Sequence, residues 1–120
     1  NGFTDVYFSP LYARHLAQLL LLMVEKRFSG LYHVFSPQAT SKYAFGVSLA
    51  RQFGLDESLI NPVSFADAGL STPRPLNLSM NTEKLQAALD APLPSEQEGL
   101  QALYADALAG LPDKLVAYLA

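Results

Sequence analysis

Cysteine and tryptophan are both absent from the 120 residues. Without cysteine there is neither a disulfide framework nor a thiolate metal site. Charge is scarce: 16% of residues are Asp, Glu, Lys or Arg, and the formal net charge is −3. This mildly acidic balance argues against a nucleic-acid binder, which needs a surplus of Lys and Arg to neutralise phosphates. The seven glycines are scattered as helix stops and turns. None builds a G-x-x-x-x-G-K-[ST] loop or a Gly-rich dinucleotide loop after a strand, and no G-x-S-x-G elbow is present. The two histidines, His15 and His33, fall on different elements without metal-ligand spacing. No catalytic and no metal-ligating residue is therefore identified. Long apolar runs are lacking too. Residues 16–24 are the most apolar stretch, but they contain Gln18 and close on Glu25-Lys26-Arg27. A membrane span needs about 20 apolar residues, so this run reads as a buried helix, and no membrane partner is expected. No signal peptide is visible, and a cysteine-free chain is compatible with the cytoplasm, the location expected here. The chain opens Asn1-Gly2-Phe3, without Met, and is expected to be a piece of something longer.

Half of the residues are hydrophobic, and the length suits one compact domain. Residues 6–12 suit a short strand that has to lie at an edge, or end near Pro10, because proline cannot donate to a ladder. Ala13 to about Phe28 reads as a helix with Leu16, Leu20 and Met23 on one stripe and Leu19, Leu22 and Val24 beside it, stopped by Ser29-Gly30. Leu31 to Phe35 follows as a short apolar run of strand formers. A helix followed by a buried strand points to a parallel sheet with crossover helices. Thr40 or Ser41 caps a helix to Phe53, with Phe45, Leu49 and Phe53 on one face and Gly54 at its end. Asp56 to Ser64 reads as a turn and an extended piece limited by Pro62; residues 66–75 are irregular. Leu76 to Met80 suits a strand, and Asn81 caps a helix from Thr82 to Leu89. Ser95 and Glu98 form a capping-box pattern for a helix whose apolar face is Leu100, Leu103, Ala107 and Leu108. Gly110 and Pro112 precede a last helix, Asp113 to Leu119.

The most informative chemistry is Thr72-Pro73-Arg74-Pro75. Arg74 between two prolines sits on a stiff, extended backbone. Its fork loses little entropy on binding and matches phosphate oxygens bidentately; a solvated side chain or a pair with Asp67 is the alternative. Asn77, two residues beyond Pro75, shares that residue's face if the strand has begun. His33 and His15 read as a hydrogen-bonded structural residue and a polar-face residue respectively.

Several segments then fall into a familiar order. They are Gly30-Leu31-Tyr32-His33-Val34, Thr40-Ser41-Lys42-Tyr43-Ala44-Phe45, and Pro73-Arg74-Pro75-Leu76-Asn77 running on through Ser79-Met80-Asn81-Thr82-Glu83-Lys84-Leu85. Ser9-Pro10-Leu11-Tyr12-Ala13-Arg14-His15 lies upstream, and Leu93-Pro94-Ser95 with Glu98-Gly99-Leu100 downstream. Together they resemble the C-terminal part of the dTDP-4-dehydrorhamnose reductase-like family of extended short-chain dehydrogenase/reductases. The methionine adenosyltransferase beta subunit is a similar relative.

This resemblance implies an α/β fold in which residues 1–120 form one unit: the last Rossmann helix and strand plus the small substrate-binding lobe. The N-terminal cofactor-binding domain, which would hold NADP(H) or NAD(H), lies outside it. So do the family's catalytic Ser/Thr and Tyr-x-x-x-Lys; no tyrosine here has Lys four residues later. The implied function is the substrate-binding portion of an NADP(H)-dependent reductase of a nucleotide-linked 4-keto sugar, with Arg74 on the substrate's pyrophosphate, Asn77 on a hydroxyl and Tyr12 lining the cleft. For Tyr12, as for Tyr43, buried packing is the other reading. Phe8-Ser9 stands where related epimerases carry Arg-Asp, and His15 where they carry Asp, which disfavours that branch and a second phosphate contact there. The alternative is a non-catalytic NADP-binding regulatory subunit of the methionine adenosyltransferase type. Its partner would be another enzyme; a homodimer is the other partner expectation.

Overall fold

Val6-Tyr7-Phe8 are strand formers that run into Ser9-Pro10, and the ladder stops there. In the computed structural model, which describes residues 1–70 and 72–119, strand β2 is Tyr7–Phe8. It ends ahead of Pro10 as expected, yet it is the central strand of its sheet. Strand β3 (Thr40–Ser41) pairs with it antiparallel, Tyr7 opposite Ser41. Strand β5 (Asn77–Leu78) pairs parallel on the other side, Tyr7 opposite Asn77. A separate parallel pair joins β1 (Gly2–Phe3) to β4 (Pro62–Val63). Pro62 is tolerated as the first residue of its strand. Gly2 is required by close approach, because a Cβ there would meet the Tyr43 Cα at 2.9 Å.

The helices begin where capping chemistry places them. Helix α1 is Ala13–Glu25, and it stops earlier than Ser29-Gly30. Arg27 adopts a left-handed φ of 55°. The Phe28 amide then donates to the Met23 carbonyl at 2.9 Å and the Arg27 amide to Val24 at 3.0 Å, the two bonds of a Schellman stop. A non-glycine residue there costs about 1–2 kcal/mol. The stop turns Phe28 onto the leucine core and sets its ring 5.2 Å from Tyr32. Helix α2 is Lys42–Phe53, with the Ser41 hydroxyl accepting from the Ala44 amide and Gly54 closing it at φ 65°. Helix α3 is Glu83–Leu89; the Asn81 side chain accepts from the Glu83 amide at 2.9 Å, while Thr82 occupies the cap position. Helix α4, Glu96–Leu108, starts with both bonds of the Ser95–Glu98 capping box. Helix α5 spans Leu111–Leu119, two residues earlier than expected, because Pro112 in the first turn has no amide to satisfy.

The core is made of leucines from distant parts of the chain. Leu19 of α1, Leu85 and Leu89 of α3, and Leu93 form one buried cluster, flanked by Leu11, Leu22, Met23, Phe28, Tyr32 and Val34. The expected strand at Leu31–Phe35 does not form: these residues join no ladder among the described residues. Alternation survives without it. Tyr32 and Val34 pack on the core, whereas Leu31 and His33 are exposed. A strand needs a neighbouring edge to pair with, and no described strand pairs with this segment. Helix α1 is likewise less covered than its sequence predicts, with Leu21 65% and Val24 75% exposed. On α4, Leu100 is buried but Ala107 and Leu108 face outward, which corrects the expected apolar face. The radius of gyration, 16.6 Å, exceeds the roughly 14 Å of an average chain this long, in keeping with this thin core.

One polar clamp crosses the fold. Asp106, buried near the end of α4, accepts a 2.8 Å bond from the Tyr12 hydroxyl and pairs with the Arg14 guanidinium. It ties the start of α1 to the end of α4. The Tyr12 phenol is held above its ordinary pKa, first by burial and then by the Asp106 carboxylate, while Arg14 pulls weakly the other way.

Two outcomes follow. Asp106→Ala is expected to lower unfolding stability by about 1–3 kcal/mol, the cost of orphaning charged-group hydrogen bonds, read from denaturant midpoints; the half-exposed Arg14 keeps the loss below that of a fully buried pair. Because the phenol's pKa is raised on folding, its contribution is complete below about pH 10 and fades only as pH rises through the folded value. Second, the 120-residue chain made alone is expected to self-associate through its exposed leucines. Sedimentation should show mass rising with concentration, and Leu21→Lys with Val24→Lys should reduce it.

Candidate functional site

Arg74, between two prolines that restrict its backbone, lies just ahead of β5, and the β2 ladder brings that segment near the start of α2. Between them lies a cavity of about 200 Å³. Phe3, Val6, Phe65, Leu70, Pro75 and Leu78 line it, and the two charged lining residues are Lys42 and Arg74. The Phe3 and Phe65 rings pack 5.6 Å apart. Phe65 is fixed from behind, its amide donating to both Asp5 carboxylate oxygens at 2.9 and 3.1 Å. Lys42 is the first residue of α2, and its amide donates to the Val6 carbonyl at 3.0 Å. Arg74 is exposed and pairs with no carboxylate among the described residues. Asp67, its alternative partner, instead accepts from the Ser64 hydroxyl at 2.7 Å. Two cations on an apolar hollow suit an anionic group joined to an apolar or ring portion. The volume is below the 300–1,000 Å³ usual for a whole small-molecule site, so the cavity fits part of a larger ligand.

The other expected contacts lie elsewhere. Asn77 is exposed on β5, outside this cavity's lining, and its side-chain oxygen accepts from the Ser79 amide at 3.0 Å and the Ser79 hydroxyl at 2.6 Å. Tyr12 borders a second cavity of about 180 Å³, beside Pro10, Phe45, Gly99 and Leu100. Arg74 and Tyr12 are therefore not brought together. Lys42 and Phe45, about one turn apart on α2, face the two different cavities. Tyr43 packs behind Gly2.

His33 is not on a strand. Its Nδ1 lies 3.2 Å from the Asn81 carbonyl, a bond that requires the Nδ1–H tautomer. His15 is half-buried rather than on a polar face, edge-on to the Tyr12 ring, with its Nδ1 buried and without a hydrogen-bond partner among the described residues. Sequence reasoning missed Lys42 and Asp106. Lys42 stood inside a quoted segment, but only its pairing with Val6 reveals which cavity it borders. Asp106, a lone carboxylate beside Leu103 and Ala107, carried no local signal of its two distant partners. Among the described residues, no group of His, Asp and Glu could hold a metal ion, and no helix is long and apolar enough to cross a membrane.

Comparison with known proteins places this geometry. A family model described as the RmlD substrate binding domain matches residues 3–109. A Haloferax volcanii protein described as a probable low-salt glycan biosynthesis reductase is 28% identical over 103 residues, covering 86% of this chain and 34% of its own. The methionine adenosyltransferase 2 subunit beta of Xenopus tropicalis is 29% identical over 82 residues, 64% of this chain and 24% of that protein. The chain thus spans about a third or less of the curated relatives it matches. In fold, it is similar to the dTDP-4-dehydrorhamnose reductase of Bacillus anthracis in complex with NADP. That match has a TM-score of 0.77 at 22% identity and covers 88% of this chain and 37% of that one. The Clostridium acetobutylicum dTDP-4-dehydrorhamnose reductase gives 0.75 at 20% identity, covering 90% and 38%. The sequence resemblance and the α/β architecture are both borne out, and with the match running over residues 3–109 the chain belongs to the RmlD substrate binding domain family.

Proposed function

We propose that this chain is the substrate-binding portion of an NADP(H)-dependent reductase acting on a nucleotide-linked 4-keto sugar. The supporting observation is the cavity that sets Arg74 against apolar walls, where a guanidinium can meet diphosphate oxygens. In this reading residues 1–120 lie towards the C-terminus of the reductase, and a preceding cofactor-binding domain holds the nicotinamide cofactor. The solved relative named as an NADP complex supports that choice of cofactor. The cofactor supplies the hydride when bound. The role assigned to this chain is to bind and orient: Arg74 neutralises the diphosphate, and the apolar walls exclude water from it. Asn77 and Tyr12 lie outside the Arg74 cavity, and a role on the sugar side would need the substrate to extend beyond it. We place the reductase in the cytoplasm. A second reading, a non-catalytic regulatory subunit, draws on the likeness to the Xenopus tropicalis subunit beta. Co-purification with an adenosyltransferase and no turnover of sugar substrates would favour it.

Calorimetric titration of the full-length protein with dTDP is the direct test. Arg74→Ala is expected to weaken binding roughly ten- to a hundredfold, since hydrogen bonds to charged groups contribute about 1.5–3 kcal/mol. Unchanged affinity would remove Arg74 from the site.

A further inference from the structure

The chain has eight Lys and Arg side chains, and four of them have an acceptor among the described residues. Arg14 is held by Asp106 and Arg51 by Glu57 at 3.0 Å. Lys84 donates to the Leu31 carbonyl at 2.7 Å and lies 4.3 Å from the centre of the Tyr32 ring. Lys114 donates to the Ala109 carbonyl at 3.0 Å. Lys26 and Arg27 follow the last turn of α1, where cations complement the helix dipole. The two that remain, Lys42 and Arg74, make no side-chain bond among the described residues, and both line the same apolar cavity.

The backbone sets the side of β2 on which each one stands. Lys42 is locked to one side of β2 by its amide bond to Val6 at 3.0 Å; the Arg74 segment is locked to the other, where the Tyr7 amide donates to Leu76 at 2.7 Å. Two like charges held at one hollow repel each other and gain when an anion lies between them. Asp5, next to the lining residue Val6, accepts the Phe65 amide on its carboxylate oxygens. The two cations differ in kind: the arginine offers a planar fork, the lysine a point charge on a flexible stem.

We infer that Lys42 is a second diphosphate-binding residue of this cavity. Lys42 and Arg74 grip the ligand's two phosphoryl groups from opposite sides of β2, with the apolar walls taking the ring portion beside them. The inference rests on the substrate reading above, to which it adds a residue and a charge count: the site takes a diphosphate in preference to an uncharged nucleoside.

The test compares the full-length protein with its Lys42→Gln, Lys42→Arg and Arg74→Ala variants, using dTDP, thymidine and inorganic diphosphate as probes. Lys42→Gln is expected to weaken dTDP binding about tenfold and to flatten its salt dependence, to leave thymidine binding unchanged, and to be largely rescued by Lys42→Arg. Lys42 is exposed, and an unchanged thermal melt would confirm that its variants fold. If Arg74→Ala loses dTDP while Lys42→Gln binds like the parent, the inference is overturned and the substrate reading stands. Lys42-dependent binding of inorganic diphosphate without binding of dTDP would support the inference and overturn the substrate reading. Failure of the unmodified protein to bind any diphosphate would overturn both.

Discussion

The site depends on a two-residue strand. Tyr7 and Phe8 are bonded on both edges, antiparallel to Thr40–Ser41 and parallel to Asn77–Leu78. Those neighbours come from segments more than thirty residues apart in sequence, and the ladder holds them in register. A central position satisfies the backbone polar groups of β2 on both sides, so a very short strand can still be well fixed. Its immediate flanks carry the consequence. Val6 anchors the start of α2, and with it Lys42; the paired Leu76 anchors the rigid Arg74 segment. Ser9-Pro10 then ends the ladder and releases the chain into α1.

The rest of the molecule positions this ladder with few charges and a modest core. Leu19, Leu85, Leu89 and Leu93 bind α1 to α3. The Asp106 clamp binds α1 to α4, and the Phe53–Tyr104 edge contact at 5.2 Å joins α2 to α4. These contacts leave Leu21, Val24 and Leu31 in solvent. The same scarcity of charge sharpens the cavity: of eight cations, four have an acceptor among the described residues and two sit at the end of α1, so a pair without one at a single hollow is informative. In a chain richer in Lys and Arg, the same pair would be lost among solvated side chains.

Local chemistry was the legible part. Ser41, Gly54, Ser95 and Glu98 announced their helix ends because capping is decided within four residues. The strands around Tyr7, Pro62 and Asn77 were legible as extended pieces, though not their partners. The end of α1 was misread because the burial of Phe28 outweighed the left-handed cost at Arg27, a competition no local rule contains. Leu31–Phe35 was misread because its strand pattern is real, but a strand also needs an edge to pair with.

The sequence by itself determined that five helices form, the caps of α2 and α4, the prolines flanking Arg74 and, through the order of its segments, the family. Those properties arise from neighbours in the chain or from residue order. Tertiary structure alone decided that Lys42 joins Arg74 at one cavity and that Tyr12 turns to Asp106. Strand pairing and side-chain direction depend on partners from about thirty to 94 residues away, and no local spacing encodes which of them will meet.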